Sequence, residues 1–94
     1  MEMFNPPHPG EILLEECIKP LGYSISAFAL KLGTSRKNLS EIVNCKVKIS
    51  PEMALKIEKA LNSRADLWLD LQTQYDLWQA RQRVNLDNVQ VISM

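Results

Sequence analysis

Apolar residues recur at helical spacing in five segments of the chain, and proline, glycine or a capping serine separates each segment from the next. The pattern predicts helices over about 9–19, 25–32, 36–44, 51–61 and from Ser63 to about Arg83. We therefore predict an all-α fold, a five-helix bundle whose helical core covers residues 8–83.

Most of these helices begin at a residue that can cap their free amide groups. A capping side chain accepts a hydrogen bond from the first turn, where backbone amides have no partner within the helix. Gly33, directly after the second helix, is expected in the left-handed conformation that ends helices. For the fifth helix, Ser63 with Asp66 resembles a capping box. The caps predicted for the first four helices are His8, Ser24, Ser35 and Ser50.

The two ends of the chain give different signals. The apolar stripe expected on the first helix consists of Leu14, Cys17, Ile18 and Leu21. Residues 84–94 are rich in β-branched residues and contain one charge, which is compatible with either a short edge strand or a frayed tail.

The composition fits a single small domain, residues 1–94. Apolar residues make up 46% of the 94 and charged residues 23%, close to the globular average. Eleven basic residues balance eleven acidic ones, which excludes a protein held on nucleic acid by overall charge alone. The N-terminus lacks a signal-peptide pattern, and no apolar run approaches the roughly 20 residues of a membrane helix. We expect a soluble, cytoplasmic protein without a membrane partner.

The residue types that catalyse reactions or bind metals are scattered along the chain. Cys17 and Cys45 have no second cysteine nearby, so they lack zinc-site spacing and are expected as reduced thiols. His8, the only histidine, has no nucleophile beside it, and the adjacent Glu15 and Glu16 point about 100° apart on a helix. We therefore predict no enzymatic activity, no metal and no cofactor.

The informative stretch is residues 24–46, where two short helices flank a glycine turn. Ala29 leaves room for the close approach of another helix, Gly33 makes the turn, and Ser35 caps the helix that follows. This is the layout of a helix-turn-helix, in which the second helix enters the DNA major groove with its N-terminal residues at the base edges.

The charges are divided between two lobes of the chain. Residues 31–48 contain five bases and one acid, a net charge of +4, whereas residues 1–30 contain four acids and one base, a net charge of −3. A basic lobe around a helix N-terminus attracts phosphate and favours DNA as a partner.

Side-chain chemistry assigns the expected DNA contacts within the basic lobe. Arginine and lysine donate to guanine, asparagine pairs with adenine, and hydroxyl groups, amides and lysines bind phosphate. The predicted base-contacting residues are Arg36, Lys37, Asn38 and Glu41. The predicted phosphate-contacting residues are Thr34, Ser35, Lys46 and Lys48.

The fifth helix carries more aromatic surface than one face of a small core needs. Apolar side chains left over from a core usually form an interface, and the simplest partner is a second copy of the chain. We predict a two-fold homodimer that reads a palindromic operator with half-sites about 34 Å apart. The predicted interface residues are Trp68, Leu71, Tyr75 and Trp78.

Several motifs resemble known families. They are His8-Pro9-Gly10-Glu11-Ile12-Leu13, Pro20-Leu21-Gly22, Leu32-Gly33-Thr34-Ser35-Arg36, Ile42-Val43-Asn44, and Leu67-Trp68-Leu69 through Tyr75-Asp76-Leu77-Trp78. Residues 24–46 resemble the helix-turn-helix of lambda-repressor-like (Xre/Cro) proteins, and about residues 8–80 are similar to the HigA antitoxin family. The resemblance implies a dimeric repressor that binds its own promoter and neutralises a RelE-type, mRNA-cleaving ribonuclease toxin.

Two positions depart from the pattern of this class. Ile25 stands where glutamine is common in the second helix, and Cys45 stands where glycine is common after the third. A left-handed Cys45 would cost on the order of 1 kcal/mol.

Two functions therefore remain open. The first is a repressor that is also an antitoxin, with the acidic lobe (Glu2, Glu11, Glu15 and Glu16) as the surface for a basic toxin. The alternative is a stand-alone regulator or a protein-interaction module without a toxin partner.

Overall fold

The computed structural model describes residues 4–93 and contains, within them, five helices and no strand. The first helix, α1, is Pro9–Ile12 and continues without a break into a π-helical segment, Leu13–Ile18. The other helices are α2 (Ile25–Leu32), α3 (Arg36–Val43), α4 (Pro51–Leu61) and α5 (Ala65–Arg83). The predicted all-α, five-helix fold is confirmed.

The predicted caps of the first four helices are confirmed. His8 Nδ1 accepts a hydrogen bond of 2.9 Å from the amide of Gly10, and each capping serine accepts one of 3.0–3.1 Å from an amide three residues on. Gly33 has φ = +71°, the left-handed conformation expected at the end of α2. These contacts span at most three residues, so sequence alone can predict them.

The predicted cap of the fifth helix is wrong. Ser63 Oγ accepts a hydrogen bond from the indole Nε1 of Trp68 (2.9 Å) and does not cap the helix. The amide of Ala65, the first residue of α5, instead donates to Glu58 Oε2 of α4 at 2.7 Å. A carboxylate on a neighbouring helix thus caps α5 and fixes the corner between the two helices.

The apolar stripe predicted for the first helix is wrong in part. Ile18 is buried, but Leu14 and Cys17 are only half-buried and Leu21 is 57% exposed. The amide of Lys19 donates to the carbonyl of Leu14, five residues back, which is the wider π-helical turn. This turn changes the register of the helix and brings Leu13 into the core, where it is fully buried.

The core takes buried side chains from all the helices, from Leu13 in the π-helical segment to Trp68 in α5. Leu13, Leu39 and Ile57 are fully buried there. Gly10 packs so closely against α3 that a Cβ atom at this position would overlap the carbonyl oxygen of Ile42. The N-terminal helix therefore supports the C-terminal end of α3.

Residues 84–93 form an exposed tail and not the short edge strand that the sequence also allowed. Glu2 and Met94, which belong to the predicted acidic lobe and tail, lie outside the described residues. No helix within residues 4–93 is both long enough and apolar enough to cross a bilayer.

Candidate nucleic-acid interface

The turn between α2 and α3 is held from both sides. After α2 ends at Gly33, the amide of Thr34 donates to the carbonyl of Ala29 (3.0 Å). Lys56 of α4 reaches across and donates from Nζ to the carbonyl of Gly33 at 3.2 Å. Ala29 itself is 1% exposed. These contacts fix the angle at which α3 leaves the turn.

The N-terminal end of α3 presents its basic residues to solvent. The helix buries Leu39, Ile42 and Val43, so Arg36 and Lys37 at its first two positions are exposed. Neither forms an ion pair within residues 4–93. The free amides and positive dipole end of α3 lie at the same place. This combination suits a polyanion such as the DNA backbone and the acceptor-rich edge of guanine.

The polar residues of the turn are already partly satisfied within the chain. Asn38 Nδ2 donates to Thr34 Oγ1 at 2.9 Å, and the amide of Asn38 donates to Ser35 Oγ at 3.0 Å. Asn38 is half-buried, so its amide group braces the turn. A bidentate pair with adenine would require it to exchange the Thr34 hydroxyl for the base.

Ser40 on α3 and Asn44, the residue that ends this helix, form a further polar pair near the predicted DNA contacts. Asn44 Nδ2 donates to the carbonyl of Ser40 at 2.8 Å and lies within 3.3 Å of its hydroxyl. Ser40 lies four residues after Arg36, and Asn44 four after Ser40, so this spacing was the available signal for the pair. Glu41, a predicted base contact, is half-buried beside them.

A strained residue follows the C-terminal end of α3, at the position where glycine is common in this class. Cys45 has φ = +64°, and its amide donates to the carbonyl of Ile42 (3.0 Å). Lys46 follows and is exposed. Lys48 differs from Lys46 in that it forms an ion pair: its ammonium lies 3.2 Å from Asp76 Oδ2 on α5. The two lysines expected to bind phosphate thus have different surroundings.

The same segment is tied to α5 by a buried amide. Ile49 and Gln72 are 2% and 5% exposed, and the Ile49 amide donates to Gln72 Oε1 at 2.9 Å. Gln72 Nε2 in turn donates to Asp76 Oδ1 at 3.0 Å. The buried polar atoms of Gln72 are therefore paired, and the position of α5 determines that of residues 47–49.

His8 joins the N-terminus to this region. Its ring packs edge-on against Tyr75 of α5, with centroids 4.9 Å apart. Burial lowers the pKa of His8, while the carboxylate of Asp76, a hydrogen bond with the Val47 backbone and the charge of Glu11 act in the opposite direction. His8 is therefore a neutral structural residue at neutral pH.

The residues predicted for the dimer interface do not share one environment. Trp68 is 4% exposed and forms part of the core, so the prediction that its side chain faces a partner is wrong. Its indole Nε1 donates to Ser63 Oγ in the connection between α4 and α5. Leu71, Tyr75 and Trp78 are half-buried, and the Trp78 ring meets Phe4 edge-on at 4.6 Å.

Metal-binding clusters and reactive thiols were sought in the part of the chain that the structure describes. Within residues 4–93 no group of three or more histidine, cysteine or acidic side chains could hold a metal ion. Burial raises the pKa of both Cys17 and Cys45, so neither is an activated thiolate.

The two short helices, the braced turn and the exposed basic end of α3 define a helix-turn-helix regulator of the DNA-binding class. Residues 14–68 match the helix-turn-helix family model HTH_3, which is more than half of the chain. Together with the relatives described next, this match shows that the chain belongs to the HigA-type, Xre-like helix-turn-helix family. It is a family of transcriptional regulators and not of enzymes.

Similar proteins include regulators and antitoxins. Virulence-associated protein A of Dichelobacter nodosus is 49% identical over 81% of this chain and 76% of its own length. Antitoxin HigA-1 of Vibrio cholerae is 35% identical over 84% of this chain and 74% of its own. The solved structure of antitoxin GraA in complex with its operator has a TM-score of 0.89 and 34% identity, covering 100% of this chain and 98% of that one.

Proposed function

We propose that this protein is a homodimeric repressor that binds a palindromic operator in its own promoter and acts as the antitoxin of a type II toxin–antitoxin pair. The observation that carries the DNA-binding half is the exposed, basic N-terminal end of α3, which projects Arg36 and Lys37 beyond a braced turn. The solved structure of the similar antitoxin GraA in complex with its operator supports operator binding. A repressor acts where the DNA is, so the compartment proposed is the cytoplasm.

Different residues carry specificity and affinity in this proposal. Arg36 and Lys37 read base edges, while Thr34, Ser35 and Lys46 contact phosphates together with the free amides of α3. Asn38 and Glu41, both half-buried, are the further base contacts of this proposal, and Asn38 exchanges the Thr34 hydroxyl for the base.

A second copy docks on α5 in the proposed dimer. Trp68 is omitted from the interface because it is buried in its own chain. Leu71, Tyr75 and Trp78 remain, and Leu67 and Leu77 add exposed apolar surface on the same helix, at 50% and 42%. A two-fold dimer of this kind would read a palindromic operator with half-sites about 34 Å apart.

The toxin is proposed to dock on the acidic side of the first helix. Glu11, Glu15 and Glu16 are all exposed and surround a shallow concavity with Pro7 and Ile12. Within residues 4–93, Glu15 is the one of the three that forms an ion pair, with Lys19 at 2.7 Å. A basic, mRNA-cleaving ribonuclease would complement these carboxylates, and Antitoxin HigA-1 supports the antitoxin role.

Fluorescence anisotropy with DNA from immediately upstream of the gene tests the repressor function. We expect tight binding. A plot of the logarithm of the binding constant against the logarithm of the salt concentration should have a slope of about −0.9 per phosphate contact. Arg36→Ala should cost about 1–3 kcal/mol and relax one base position, whereas Lys46→Ala should weaken all sequences alike. Equal, weak binding by wild type and an Arg36→Ala/Lys37→Ala variant would mean that the helix-turn-helix is only a scaffold.

Co-expression with the product of the adjacent gene tests the antitoxin function. Wild type should co-purify with that protein and restore growth, and the charge reversals Glu11→Lys and Glu16→Lys should prevent both. Glu52→Lys, an equal charge change at an exposed position of α4, is the matched control and should have no effect. DNA binding without any neighbouring toxin would favour the alternative, a stand-alone regulator.

A further inference from the structure

Lys48 is the only lysine of the helix-turn-helix region, residues 31–48, that forms an ion pair within the described part of the chain. Its ammonium lies 3.2 Å from Asp76 Oδ2, although the lysine side chain is 73% exposed. Lys46, two residues earlier, has the same charge and is exposed. The segment after α3 thus holds one basic residue that is available to phosphate and one whose charge is offset.

The carboxylate of Asp76 is held in place. Its other oxygen, Oδ1, accepts a hydrogen bond from Gln72 Nε2, and Gln72 is fixed in turn by the amide of Ile49. Asp76 is only 34% exposed, and Lys48 and Ile49 are neighbours in the chain. The acceptor therefore has a fixed position beside the lysine and competes with phosphate at high effective concentration.

We propose that Asp76 is a positioning residue that limits the affinity of this protein for DNA by holding Lys48 against α5 and offsetting its charge. In the wild-type protein Lys46 contacts phosphate and Lys48 adds little. Removal of the Asp76 charge releases the Lys48 ammonium as one additional phosphate contact per protomer. The proposal rests on the DNA-binding function and on the approach of DNA to residues 45–48.

This arrangement also links two surfaces of the molecule. Asp76 lies next to Tyr75, a residue of the proposed dimer interface, and one turn after Gln72. The helix expected to bind the second copy therefore also sets the charge available beside α3.

The variant Asp76→Asn tests the proposal with little change in structure. Asparagine retains an oxygen that can accept from Gln72 but removes the charge that holds Lys48. Anisotropy with the upstream DNA, measured over a series of NaCl concentrations, gives the slope of the logarithm of the binding constant against that of the salt concentration. For Asp76→Asn this slope should be steeper than that of wild type by about 0.9 per protomer. At low salt we expect the variant to bind DNA about two- to fivefold more tightly than wild type, which corresponds to the free energy of one exposed ion pair.

A second substitution separates Lys48 from the general effect of removing an acid. Lys48→Ala should leave the slope of the wild-type protein unchanged but abolish the increase in the Asp76→Asn background. Asp70→Asn, which removes the same charge from an exposed position on α5, should leave the slope as it is. Urea unfolding of each variant confirms that the proteins compared are folded.

Several results would overturn the proposal. They are an Asp76→Asn slope equal to that of wild type, an equal increase for Asp70→Asn, and an equal effect of Lys48→Ala in both backgrounds. Failure of the repressor function has a different signature, since the wild-type protein itself would then not bind the upstream DNA, and this inference would fall with it.

Discussion

Gly10 lies directly against the carbonyl oxygen of Ile42, so the first helix reaches the C-terminal end of α3 with no side chain between them. The preceding residue, Pro9, starts the helix, and His8 caps it through the amide of Gly10. The first three residues of the His-Pro-Gly-Glu motif therefore have a structural explanation, because they begin a helix and permit a close contact between two helices.

The first prediction concerns this contact. Gly10→Ala should reduce the free energy of unfolding by about 1–3 kcal/mol, because the methyl group forces backbone apart in a packed interior. Urea unfolding followed by circular dichroism measures the change. Glu16→Ala, an exposed substitution in the adjoining π-helical segment, is the control and should stay within about 0.5 kcal/mol of wild type. A Gly10→Ala protein as stable as this control would contradict the close packing of the two helices.

The second prediction concerns the corner between α4 and α5. Glu58→Ala removes the acceptor of the Ala65 amide and should destabilise the protein by about 0.5–2 kcal/mol, the usual cost of losing a helix cap. Glu58→Gln retains an oxygen at the same position and should lose less. Thermal or urea unfolding compares the two. Equal losses would mean that the charge of Glu58, and not its hydrogen bond, stabilises the corner.

The third prediction concerns pH. Burial lowers the pKa of His8 in the folded protein, whereas the unfolded chain takes up its proton near the usual value of about 6.5. Between the pKa of the folded protein and about pH 6.5, the unfolded state therefore binds more protons than the folded state. The contribution of neutral His8 to the free energy of unfolding is fully present above about pH 6.5 and falls as the pH is lowered towards the folded pKa. Proton NMR of the single imidazole should show a pKa below 6.5.

A variant isolates the contribution of His8 to this pH dependence. His8→Asn keeps an acceptor for the Gly10 amide and should remove the loss of stability in that window. Unfolding free energies at two pH values on either side of pH 6.5 provide the measurement. A titration midpoint at or above the usual histidine value would show that protonation does not oppose the fold.

The fourth prediction separates the two tryptophans. Trp68→Phe loses core volume and the hydrogen bond to Ser63, and should cost about 1–3 kcal/mol of stability while leaving self-association intact. Trp78→Ala should instead weaken the dimer by about 2 kcal/mol or more, as expected for an aromatic hot spot. Sedimentation velocity over a concentration series measures association. A wild-type protein that stays monomeric at every concentration would exclude the proposed dimer.

Much of the helix-turn-helix could be predicted from the sequence because its determinants are local. The capping serine of each helix contacts an amide three residues away, and Gly33 follows the helix that it ends. Cys45 keeps the left-handed conformation of the glycine that is common at this place in the family pattern. Arg36 and Lys37 were placed in the first turn of α3 by the same cap at Ser35.

The errors occur where longer-range contacts override local signals. Ser63 and Asp66 match a capping box, yet Glu58 supplies the cap from seven residues away on another helix. Trp68 was expected on a surface because the aromatic content of the fifth helix does not reveal which face is buried. The π-helical turn at Leu13–Ile18 shifts the periodicity from which the first apolar stripe was predicted.

The sequence by itself determined the helices, most of their caps and the basic turn that belongs to a DNA-binding regulator. These depend on contacts within one helical turn, which residue order fixes directly. Only the tertiary structure decided that Lys48 faces Asp76, that Gln72 satisfies the amide of Ile49 and that Trp68 is internal. The partners in the buried bond between Ile49 and Gln72 are 23 residues apart, and only the packing of α5 brings them together.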